Sequence, residues 1–346
     1  MQKEQKIKIV PLFFHRQNDY TGSTKVLSNI IECDYPDNEV VVITYDSGEG
    51  FLSGLCNVKI VPIFRLTILG KSIPILSFIV SRIYAFCLAI IFGIKRPVFY
   101  INTIEPSYAA IAGVLLQKKI VYHVHEKFVD KAIGSKYSEM VFNHIRAKRI
   151  FVSEYLKKQY PERANSEVVY NKLSPYYISR VIIRPVTDRK LDTVIMISSL
   201  SEAKGIYNFF EIVNRMKYLT FILLLSASKE EAECVFKTIP PNLEIYYKQS
   251  DVHPFLYRSD LLLNLSIPSL WIETFGMTIL EAMPYGIPAI VPNIGGPTEL
   301  VENVKTGYCV DVTNINEVVE AIERALDKNN YPTLCVNTLK RFELFS

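Results

Sequence analysis

Short runs of aliphatic and β-branched residues alternate along this chain with longer stretches of helical apolar period. In the first half, strands are expected at KIKIVPLF (6–13), EVVVITY (39–45), VKIVPI (58–63), VFYINTI (98–104), KIVYHVH (119–125) and RIFVSE (149–154). Helices are expected between them near 22–33, 76–92, 106–117 and 136–147. A second series of strands begins at TVIMISSL (193–200) and continues through FILLLS (221–226), LEIYYK (243–248), LLLNLS (261–266) and AIVP (289–292). Such alternation is the pattern of βαβ units around a parallel sheet. The stretch 172–190 has two prolines and no clean period, and 176–190 reads as a linker. The expectation is an α/β protein of two doubly wound, Rossmann-like domains, residues 1–175 and 191–346, facing an interdomain cleft. In such sheets ligands bind beyond the C-terminal strand ends, near helix starts.

One segment departs from this rhythm. Residues 73–94 (IPILSFIVSRIYAFCLAIIFGI) are almost wholly apolar. Pro74 at the start and Arg82 in the middle argue against a spanning helix, which needs ~20 uninterrupted apolar residues. A helix packed on a sheet, or one lying in a membrane interface, fits better, and both can hold at once.

The 346 residues suffice for two domains, and 49% are hydrophobic, as folding requires. Six scattered cysteines without a C-x-x-C pair fit neither a disulfide framework nor a zinc site and suit a reducing compartment. MQKEQKIKIV runs straight into a strand-like segment and reads as no secretory leader, so a cytoplasmic location is expected. The net charge of +4 conceals a division. Residues 1–190 carry 27 Lys/Arg against 16 Asp/Glu, and the remainder 12 against 19. No acidic residue lies between Glu49 and Glu105. The two halves are therefore expected to meet different partners, and a basic, aromatic-rich first half suits an anionic membrane surface. No nucleic-acid module accompanies the basic residues.

The chemistry concentrates in SIPSLWIETFGMTILEAMPYGIPAIVPNIGGPTELV, residues 266–301. Glu273 and Glu281 stand eight positions apart, with Phe275, Gly276, Met277 and Thr278 between them. Gly276 and Thr278 fall where a loop becomes a helix, whose free N–H groups and partial positive charge suit a phosphate. Glu281, one and a half turns inside, is placed to accept from the vicinal hydroxyls of a ribose. Glu273, before the helix, would face a sugar beyond the diphosphate.

This stretch resembles the family 4 (group 1) retaining glycosyltransferases with the GT-B fold, whose hallmark is E-x7-E. SLSEAKGIYNFFEIV (199–213) is similar to that family's second-domain opening, with Lys204 and Gly205 at its Lys-Gly position. The resemblance implies that Lys204 neutralises the departing diphosphate. An arginine usual in the family is Ser199 here, and Lys248 and Arg258 are candidate substitutes. DYTGSTKVLSNI (19–30) resembles the family's first glycine loop, with Gly22 and Ser23 opening a helix toward the acceptor. A plain turn explains it equally well. His125, in HVHEKF (123–128), matches a histidine that family members place near the reacting sugar; His123 reads as structural. Family members usually continue past a segment like RFELFS (341–346) into a closing helix; with Ser346 last, either that helix is lost or the sequence is incomplete.

The resemblance thus implies that the first domain binds the acceptor and the second the nucleotide-sugar donor, with transfer retaining anomeric configuration. Glu273, Lys204 and His125 are the expected catalytic residues. Glu281, Phe275, Gly276, Met277, Thr278 and Gly205 are expected to hold the donor, and Gly22 and Ser23 the acceptor. No D-x-D triplet and no H-x-x-H or E-x-x-H pair is present, so neither metal nor cofactor is expected. The acceptor expected is a glycan carried on a membrane lipid, at the inner face of the cell membrane. Two other readings compete: a sugar-nucleotide epimerase of the same fold, needing no acceptor, and a non-catalytic sugar- or membrane-binding protein.

Overall fold

The strands collect into two parallel sheets. The computed structural model describes residues 9–45, 48–64, 67–68, 71–72, 74–127 and 135–346. Two compact units emerge: Met1–Val152 with Leu156–Tyr170, and Ser153–Tyr155 with Asn171–Ser346.

The first unit contains β1 (Leu12–Gln17), β2 (Val40–Tyr45), β3 (Val58–Ile63), β4 (Val98–Asn102), β5 (Lys119–Val124), β6 (Lys148–Phe151) and β7 (Ser166–Val168). Their order in the sheet is β3-β2-β1-β4-β5-β6-β7, every pair parallel. The second unit contains β8 (Thr193–Ser198), β9 (Thr220–Leu225), β10 (Leu243–Tyr247), β11 (Leu261–Leu263), β12 (Ala289–Pro292) and β13 (Gly307–Val310). These lie in the order β10-β9-β8-β11-β12-β13, again all parallel. Strand order reverses beside β1 in one sheet and beside β8 in the other, which makes a topological switch point at the β1/β4 and β8/β11 gaps.

Side-chain choice explains these elements. Central strands such as β9 (TFILLL) are buried along nearly their whole length, because helices cover both faces of a parallel sheet. The core of the second unit gathers Val194, Met196, Phe209, Phe221, Leu223 and Ile322. Helix Ile206–Arg215 contributes Ile206, Phe209, Ile212 and Val213 along one stripe. In the first unit Phe13, Leu27, Ile31, Val40 and Val42 play the same part.

Several expectations shift. The first strand was expected at 6–13, of which residues 6–8 lie outside the described residues; the strand described is Leu12–Gln17. Its polar end, His15-Arg16-Gln17, hid it from the apolar pattern. Strands β7 and β13 were not anticipated, being only three and four residues long. Residues 176–190, read as a linker, group by contacts with the second unit. Arg184 pairs with the buried Asp260, and Arg189 donates to Tyr331 Oη at 2.7 Å and to the Tyr285 carbonyl at 2.6 Å. Residues 73–94 do form a helix, Pro74–Gly93, long and apolar enough to cross a membrane.

Candidate functional site

At the switch point of the second sheet, two loops leave neighbouring strands. The loop after β8 carries Lys204 and Gly205. The loop after β11 carries Glu273 and Gly276. A single 3-10 turn, Glu202–Lys204, ends at Gly205 in the left-handed region with φ 74°. A β-carbon at Gly205 would lie 2.1 Å from the Leu265 carbonyl oxygen, so only glycine lets the two loops touch. Their backbones also bond, Ile267 N donating to the Ala203 carbonyl at 2.9 Å.

This contact presents the charged pair. Lys204 Nζ donates to Glu273 Oε2 at 2.5 Å, with both side chains partly exposed, 29% and 19%. The ammonium also lies 5.9 Å from the ring centre of Trp271, the single tryptophan of the chain. An aromatic face attracts an ammonium through the negative side of its ring.

The Glu273 backbone is held from the other side by Gly295 and Gly296. Gly296 N donates to the Glu273 carbonyl at 2.9 Å. A β-carbon at Gly296 would meet the Thr274 carbonyl oxygen at 2.0 Å, and one at Gly295 would meet that of Glu273 at 2.5 Å. Ser153 Oγ donates to the Thr274 carbonyl at 2.6 Å. The carboxylate of Glu299 accepts from the backbone N–H groups of Glu154 at 2.9 Å and Tyr155 at 2.6 Å. These supports were not read from the sequence, though NIGGPTE stood in the motif; two adjacent glycines after a strand were the available signal.

Gly276 has φ 107° and precedes helix Met277–Ala282. Met277 and Thr278 are half-buried. Glu281 is 7% exposed, its backbone carbonyl accepts from Tyr177 Oη at 3.0 Å, and its carboxylate lies near enough to Tyr177 and Tyr285 to help raise both phenols, though burial is the larger cause. Phe275 is 3% exposed, its ring buried with the core. Of the two candidate substitutes for the arginine replaced by Ser199, Arg258 is engaged with Glu244 at 2.7 Å, while Lys248 stands exposed at the end of β10.

The switch point of the first sheet is built differently. Asn102, at the end of β4, donates through Nδ2 to the Ser23 carbonyl and to His15 Nδ1, each at 3.0 Å. The Ser23 bond fixes the amide orientation, so Asn102 Oδ1 accepts from His125 Nε2 at 2.8 Å. His15 Nε2 then donates to Thr24 Oγ1 at 2.9 Å, and Thr24 to Asp19 Oδ1 at 2.6 Å. Asp19 also accepts from the Thr21 backbone at 3.0 Å, just before helix Gly22–Asp34. Thr103, β-branched and buried, follows Asn102 with φ 82°, a backbone cost of about 1–3 kcal/mol.

Burial keeps these imidazoles neutral. It lowers His15 to about 4 and His123 to about 3, and holds His125 well below its ordinary value, helped by the other two histidines. His123 is bonded to Tyr100 Oη at 2.9 Å. Gly22 is exposed and Ser23 half-buried at the opening of their helix. Arg16 pairs with Glu105 at 3.0 Å nearby, and burial raises the Glu126 carboxyl, with Arg16 opposing. Sequence reasoning missed His15, Asn102 and Glu126. A polar residue ending an otherwise apolar strand was the signal for the first two.

Among the described residues no cluster of three or more metal-ligating side chains occurs. Residues 182–341 match the family model of group 1 glycosyl transferases. That match takes in most of the second unit and a little under half of the chain. A probable sucrose-phosphate synthase of Oryza sativa subsp. japonica is 35% identical over 103 residues, which are 29% of this chain and 10% of that protein. This chain therefore spans about a tenth of the curated relatives it matches. Among solved structures, Anabaena Alr3699/HepE in complex with UDP and glucose superposes with a TM-score of 0.77 at 19% identity, covering 97% of this chain and 95% of that one. WaaG, a glycosyltransferase involved in lipopolysaccharide biosynthesis, gives 0.70 at 12% identity over 96% and 95%. At these identities the likeness is one of fold, and the fold is GT-B.

Proposed function

We propose that this chain transfers a sugar from a nucleoside diphosphate sugar to a glycan acceptor, with retention at the anomeric carbon. The observation that carries the reading is the Lys204–Glu273 pair, set by two glycine-hinged loops at the switch point of a group 1 glycosyl transferase domain. The UDP and glucose bound by the Anabaena protein of like fold support a nucleotide-sugar donor.

In this reading Lys204 exchanges its contact with Glu273 for the donor diphosphate, and Glu273 turns to the sugar hydroxyls. The bond from the anomeric carbon to the diphosphate breaks on the face where the acceptor hydroxyl attacks. The hydroxyl proton passes to the departing diphosphate oxygen. Lys204 and the helix start after Gly276 oppose the charge that accumulates there, the work a metal does in other transferases. Glu281 receives the ribose hydroxyls, and neutral His125 hydrogen-bonds the transferred sugar or the acceptor. The proposed acceptor is a glycan on a membrane lipid, reached from the cytoplasmic side. The basic first half supports that choice, and so does the lipopolysaccharide pathway of the structurally similar WaaG.

Trp271 provides the test. UDP added to the protein should change its fluorescence, since Trp271 is the sole tryptophan and faces Lys204. Glu281→Ala should weaken that response about tenfold, a loss of ~1.4 kcal/mol. Glu273→Ala should leave the response in place and abolish transfer from UDP-glucose, and transfer should persist in EDTA. A fluorescence signal indifferent to every nucleotide sugar tried would end the reading. Release of an altered sugar nucleotide without acceptor would replace it with the epimerase.

A further inference from the structure

We propose that the outward face of helix Pro74–Gly93 seats this chain on the surface of an anionic lipid bilayer. The inference deepens the reading above, on which it rests only for the acceptor being lipid-borne.

The helix is built the wrong way round for a water-facing element. A surface helix ordinarily turns its apolar stripe to the core and its polar residues to solvent. Here Ser77, Ser81 and Arg82 point inward. Ser77 and Ser81 are buried, and Arg82 donates to the Glu105 carbonyl at 3.1 Å and to Ser107 Oγ at 3.2 Å. Leu76, Ile79, Ile83, Tyr84, Ile91 and Ile94 point outward, each between 38% and 65% exposed. Their spacing follows the helical repeat, so they form one stripe along the helix and its last turn. Val114 and Leu115, exposed on the helix packed beside it, broaden the stripe. A contiguous apolar face of this kind calls for a cover.

Charge selects the cover. No carboxylate lies in the sequence from Gly50 to Ile104. Cations stand around the C-terminal end of the stripe: Lys95 is exposed, Lys59 lies 6.0 Å from the Phe92 ring, and Lys118 Nζ donates to the Ile94 carbonyl at 2.8 Å. An open hollow of about 640 Å³ there is lined by Ile91 and Ile94 together with Lys95 and Arg96. Apolar side chains flanked by lysine and arginine match acyl chains beneath anionic headgroups. The anchored Arg82 and the buried Ala85, Leu88 and Ala89 keep the helix on its domain, so it lies along the interface instead of crossing it.

The test is flotation of the whole chain with phosphatidylcholine vesicles, with and without phosphatidylglycerol. The chain should float with the anionic vesicles and at least about tenfold less with neutral ones, each basic side chain near the surface adding ~1 kcal/mol. Ile79→Glu with Ile83→Glu, on exposed positions, should reduce flotation about tenfold or more. Lys95→Glu with Lys118→Glu should remove the preference for phosphatidylglycerol. Flotation of the isoleucine variant at the wild-type level would overturn the proposal, as would failure of the wild type to float. So would a dimer in solution that Ile83→Glu dissociates, since a second copy would then be the cover. The Trp271 response to UDP, measured on the same samples, reports the donor site separately. Flotation without that response sinks the transfer reading and supports the docking surface.

Discussion

The two sheets share a strand order through their first six strands and use their switch points in opposite ways. Beside β8 the loops hold an ion pair half open to solvent, with glycine wherever backbone meets backbone. Beside β1 the same place in the topology is filled by two neutral imidazoles, an amide and a threonine, buried and bonded in series, with His123 packed against His125. There Asp19 already occupies the approach to the helix start where an anion would otherwise sit. Topology chooses where a ligand can bind, and side chains choose which ligand. In the proposed reading one site receives negative charge and the other presents uncharged hydrogen bonds.

That contrast can be broken by substitution. Lys204→Ala should lower the rate of sugar transfer about 10²–10³-fold, the cost of losing one preorganised charge at a departing group. Asn102→Ala, at the other switch point, should lower it less, acting only through the placement of His125. Equal losses would show that the two sites share one task. Rate measurements at saturating UDP-glucose make the comparison.

Gly205→Ala tests whether the loops must touch. With φ 74° and the Leu265 carbonyl at 2.1 Å from the new methyl, it should cost a few kcal/mol of stability, on the order of 2–4. Thermal unfolding reads this directly, and an unchanged melting temperature would mean that the loops part without consequence.

A smaller effect separates the sites by pH. His15, His123 and His125 titrate lower in the folded chain than the ordinary 6.5, so the unfolded chain binds more protons as the solution is acidified. Stability is therefore complete above pH 6.5 and falls between about pH 6.5 and 4, by up to ~1.4 kcal/mol per pH unit for each histidine. Melting curves at pH 7.5 and 5 should show the decline, and His15→Gln should make it shallower. A flat profile would show that these imidazoles are not buried neutral.

The second site was the more legible because its parts are near in sequence. Glu273, Gly276 and Glu281 fall within one loop and one short helix, so their spacing carries their geometry. Lys204 and Gly205 were legible as a turn before a helix. The first site draws His15 and Asn102 from strands 87 residues apart, and no local period records such a meeting. Phe275 was read from its place in the motif, and the burial of its ring, which apolar area favours, was not. The alternation of strands and helices revealed both sheets. The boundary between units escaped it, because 176–190 is tied down by Arg184 and Arg189, long side chains whose partners lie far along the chain.

Gly295 and Gly296 leave no side-chain cushion between their own loop and the one that bears Glu273. Surfaces in such bare contact cannot yield by rotamer change, so the two stretches should travel as a single plate. Any product that must pass that plate on leaving would wait for both to lift together, and turnover would inherit the tempo of that movement.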